Sequence, residues 1–149
     1  MTVGEIGQTL IGVAALFTLL IPIGVDGALL PRMHMRNPRW LPHAKLHCAM
    51  SFFAAISLGV GALALLALLS VQNLGGMALA AFLSTAFWIG LIVSGWWPGT
   101  SYGFEQDPGF IAKPPKLLGV TLDPNVILAV LSIALGWIGF ALIVIMSRR

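Results

Sequence analysis

The residues best equipped for chemistry are gathered in one stretch, 26–51, DGALLPRMHMRNPRWLPHAKLHCAMS, which holds all three histidines, four of the eight Lys and Arg residues and the single cysteine. His43 and His47 are four apart and follow Pro42, a residue suited to the first position of a helix. That spacing puts both imidazoles on one helical face, one turn apart, and neutral imidazole is a metal ligand. His34, nine residues upstream of His43, can close on the pair from the linker. Asp26, Glu105 and Asp107 offer carboxylates from other helix ends, and Trp97 a pocket wall.

Three chemistries fit this constellation. The imidazoles can anchor a helix end at a membrane surface as plain polar groups. One or both can bind a cofactor, either a transition metal such as zinc or iron, held by His43 and His47, or a haem iron through an axial imidazole. Or a histidine and carboxylate pair, His43 with Asp26, Glu105 or Asp107, can move a proton to or from a bound substrate. The pair lacks the intervening Glu of a zinc-protease helix. Cys48, alone in the chain, can form neither an intrachain disulfide nor a CxxC redox pair, and reads as a small packing residue.

The elements that must position these groups are apolar. Hydrophobic residues make up 58% of the chain and charged residues 9%, where soluble domains carry roughly a quarter charged. Four runs, about 6–25, 44–71, 77–97 and 124–146, approach or exceed the ~20 residues a helix needs to cross a bilayer. The expected fold is all-α, a single domain over 1–149 forming an integral membrane antiparallel four-helix bundle. Pro22 is expected to bend the last turn of the first span. Gln72 to Gly76 is a tight turn, Pro98-Gly99 a stop, and Asp123-Pro124 a cap and first helical residue.

Two long, proline-punctuated loops then share one side of the bundle. They carry Arg32, Arg36, Arg39, Lys45, Lys113 and Lys116, against Arg148 and Arg149 opposite, which favours both long loops in the cytoplasm. For a bacterial protein that means the inner membrane. The net charge of +3 comes from residues flanking spans, so a nucleic-acid partner is not expected. No chain of ionisable residues runs through the spans, as pumps need, and no Gly-rich phosphate loop or Ser nucleophile elbow occurs.

Asn37-Pro38-Arg39-Trp40 reads as a turn that pins the linker to the membrane surface. Trp40, Trp96, Trp97 and Tyr102 fall where spans meet loops, as an interfacial belt would. Ala55 with Gly59, Gly90 with Ser94, and Ser132 with Gly136 have the small-xxx-small spacing that lets helices approach closely.

The stretch HMRNPRWLPHAKLH resembles a motif, HxxNPxWxPHAxxH, of small four-helix membrane proteins of unknown function. In architecture the chain is also similar to the styrene oxide isomerase family, through Trp40 to His47 and Ser94-Gly95-Trp96 running into the loop from Tyr102 to Pro108. That resemblance implies a homo-oligomer with haem b ligated by His47, acting as a Lewis acid on an epoxide. The positions matching the family's catalytic asparagine and tyrosine are Phe53 and Leu91, so the resemblance does not carry those two roles. The expectation is a membrane protein, in contact with lipid and with copies of itself, that binds a lipophilic small molecule or a cofactor at His34, His43, His47 and Trp97, with an isomerase as its enzyme form. The alternative is a non-catalytic membrane subunit or scaffold that packs on a partner protein.

Overall fold

The computed structural model describes residues 1–29, 34–102, 116–117, 120–121 and 123–148, the side chains of 26, 29, 117, 120 and 121 excepted. Four helices dominate it: α1 (Val3–Pro22), α2 (Pro42–Leu68), α3 (Leu74–Ser94) and α4 (Pro124–Ser147). Each is long and apolar enough to cross a membrane.

Local chemistry explains where they begin. Thr2 and Glu5 form a reciprocal cap: the Glu5 amide donates to Thr2 Oγ1 at 3.2 Å, and the Thr2 amide to Glu5 Oε2 at 2.7 Å. This box satisfies amides with no partner inside the helix, so α1 starts three residues earlier than its apolar run. Asn73 does the same for α3, its Oδ1 accepting from the Gly76 amide at 2.9 Å, which draws Leu74 to Gly76 out of the expected turn and into the helix. Asp123 caps α4 with Pro124 at the first position, as the sequence predicts.

The end of α1 is not a simple kink. After Pro22 the chain continues as seven residues of π-helix, Ile23–Leu29. Proline lacks the amide that would bond to Thr18 and its ring crowds that carbonyl, so a wider turn relieves the clash. A second departure from an all-helical reading is a short antiparallel ladder in which Lys116 faces Thr121 and Leu117 faces Val120.

The interior is built on small residues. α1 packs on each of the other three helices. Its buried face is Gly4, Gly7, Ile11, Ala14, Ala15, Thr18 and Pro22. Its closest seam is with α4: a Cβ placed on Gly7 would come within 2.5 Å of the Gly139 carbonyl oxygen, and one on Gly139 within 2.6 Å of the Gly7 oxygen. On α2, Gly59 lies against Ala15 and Leu19; on α4, Gly136 lies against Ser84 and Thr85 of α3. Two of the three small-xxx-small pairs therefore face neighbouring helices. The third does not, because Gly90 and Ser94 are exposed and a Cβ on Gly90 would meet nothing within 4 Å. Ile11, Met77, Ala80, Ala81 and Ile143 complete the core.

Candidate functional site

Pro42 opens α2 with no side-chain cap from Leu41, so the first turn is set by proline's fixed φ. His43 in that turn and His47 in the next share one exposed face. Their Nε2 atoms are 3.0 Å apart and their rings stand at 89°, with centroids 4.5 Å apart. One ring nitrogen donates and the other accepts, the roles set by the tautomers. That separation suits two adjacent ligands of one ion: metal–nitrogen bonds of about 2.0–2.1 Å imply N···N distances of about 2.9 Å at right angles and about 3.3 Å in a tetrahedron. Phe53 and Leu91 carry no polar groups for the catalytic roles expected beside an epoxide.

The linker before α2 is compact. Asn37 is buried at 3% exposure, its amide donating to the His34 carbonyl and its Oδ1 accepting from the Arg39 amide, both at 3.0 Å. The Trp40 amide returns to the Asn37 carbonyl at 3.3 Å, so the expected turn is built around this one side chain. It sets His34 edge-on to Trp40, ring centroids 5.9 Å apart. Among the described residues, no group of three or more His, Cys, Asp or Glu side chains is placed to hold a metal, so His34 does not complete the pair. Asp26 lies in the π-helical segment, with its side chain outside the described set. Glu105 and Asp107 fall outside the described residues. Trp97 follows the last turn of α3, 74% exposed, beside Trp96 at 77%. Tyr102 instead folds back, its hydroxyl donating to the Ile92 carbonyl, while Asn125 Nδ2 donates to the Tyr102 carbonyl at 3.2 Å and ties this loop end to α4.

One polar cluster has no counterpart in the sequence reading. In the middle of the bundle Thr18 Oγ1 donates to the Ser84 carbonyl at 2.6 Å and accepts from Trp88 Nε1 at 2.8 Å. Thr85 and Ser84 turn their hydroxyls to the Ala81 carbonyl, and Ser132 Oγ is buried with no partner among the described residues. The available signal was a threonine and a tryptophan inside apolar runs. Their pairing depends on how α1 crosses α3, which no local pattern reveals.

Compared with known protein families, characterised proteins and solved structures, the chain matches none.

Proposed function

We propose that the chain is an integral membrane protein, an antiparallel four-helix bundle, that holds a transition-metal ion through His43 and His47 at one mouth of the bundle. The observation that carries this reading is the 3.0 Å approach of two Nε2 atoms on an exposed helical face.

The bundle geometry is supported by which ends meet. Gln8 Nε2 of α1 donates to the Leu66 carbonyl of α2 at 2.8 Å, whereas Leu19 lies by Gly59. Gly4 lies by Met146 and Gly7 by Gly139 on α4. The start of α1 thus meets the ends of α2 and α4. Insertion in lipid is supported by the outward apolar residues Leu20, Phe53, Val60, Phe82, Ile138 and Ile145, each at least half exposed and costly to leave in water. The positive residues of the two loops favour the cytoplasmic side for His43 and His47; reporter fusions at 36 and at 148 are expected to give opposite sidedness.

The metal supplies Lewis acidity when bound. The chain's own part is to hold two imidazoles a turn apart, leaving the remaining positions to further N, O or S donors. The test is metal analysis of untagged protein purified in detergent from metal-replete cells. Wild type is expected to retain zinc, cobalt or nickel, and His43→Ala and His47→Ala to lose it with helical circular dichroism unchanged. Equal metal content in all three proteins would sink the reading.

A further inference from the structure

A two-imidazole set leaves a late transition metal half coordinated, and among the described residues nothing else on the chain completes it. We infer that a second copy of this chain does so, packing α2 against α2 so that four imidazoles surround one ion. This rests on the proposed metal site and names its partner.

The face is written into α2. His43, His47, Met50, Ala54, Ser57, Gly61, Ala64 and Leu68 recur at alternating steps of four and three, the seam of a two-stranded coiled coil. Every one is exposed except the half-buried Gly61. α2 buries only Ala55, Gly59 and Ala62 within its own chain, on a different face of the helix, although Gly61 of the seam lies beside Leu83 of α3. Where the other outward faces carry large apolar residues, the middle of this seam carries Ala54, Ser57, Gly61 and Ala64, which allow two backbones to approach. The membrane then fixes the symmetry. Two copies inserted the same way can be related only about an axis along the bilayer normal, so the two α2 helices run parallel and each residue meets its own counterpart at equal depth. His43 and His47 meet His43 and His47 at the mouth.

Untagged, chelator-stripped protein in detergent, titrated with Co(II) while mass is followed by light scattering, tests this. The expected result is a binding break at half an equivalent per chain, a tetrahedral cobalt spectrum and a twofold rise in protein mass. His43→Ala and His47→Ala should abolish both break and mass change. Ala54→Leu and Ser57→Leu alter exposed seam positions and keep both histidines; they should prevent the mass doubling and weaken cobalt binding at least tenfold. One equivalent per chain at unchanged mass would overturn the shared site and leave the proposed metal site standing. No binding at all would overturn both. A mass already doubled without metal, and indifferent to the histidine substitutions, would also overturn the shared site.

Discussion

Thr18 gives one hydroxyl two tasks, accepting from the Trp88 indole and donating to the Ser84 carbonyl in the buried interior. Thr18→Val keeps the shape and orphans a buried N–H, so a loss of about 1–2 kcal/mol is expected in a detergent unfolding titration. Trp88→Phe in the Thr18→Val background should recover part of it, because both partners are then gone. Gly95 is a steric case: a Cβ there would overlap the Tyr102 ring. Gly95→Ala is expected to cost about 1–3 kcal/mol, and little once Tyr102→Ala has emptied the space. The Thr18–Trp88 pairing lies beyond sequence reading, since it joins residues 70 apart in the chain. His43 and His47 were legible because a helix alone makes them neighbours. A site that also recruits Asp26, Glu105 and Asp107 depends on how distant segments fold together, which spacing does not encode.

At the scale of the helices, sequence reading came within about three residues of most ends, and its errors have chemical causes. Apolar periodicity does not register the Thr2–Glu5 box or the Asn73 cap, both of which lengthen a helix at its polar start. It registered that Pro22 disturbs α1 but not that the chain answers with a π-helical turn. Small-residue spacing identified contact faces on α2 and α4, while the Gly90–Ser94 pair on α3 faces away from the other helices of the chain. The same contrast predicts opposite responses to substitution. Gly139→Leu drives a side chain into the α1 backbone and is expected to remove the folded bundle, seen as loss of a cooperative thermal transition. Gly90→Ala enters open space and should be neutral or stabilising by up to about 1 kcal/mol. Gly59→Leu and Gly136→Leu should likewise unfold the chain, because both glycines face its own helices.

For the whole molecule, α1 is the hub, and its tightest contact is the mutual approach of Gly7 and Gly139. Those residues lie near opposite ends of the four-helix order, so the first helix synthesised completes its main seam with the last. At ~5–20 residues per second, roughly 7 to 26 s separate the two halves of that contact on the ribosome. During that interval the glycine face of α1 lacks its α4 mate, and under the proposed membrane insertion it would be sheltered by lipid or by the insertion machinery. A chain stopped at residue 123 has α2 and α3 but never acquires that mate, and in pulse–chase labelling its half-life should be several times shorter than that of the full chain. Quality control of this protein therefore reduces to a question about timing: whether α4 arrives before α1 is recognised as unclaimed.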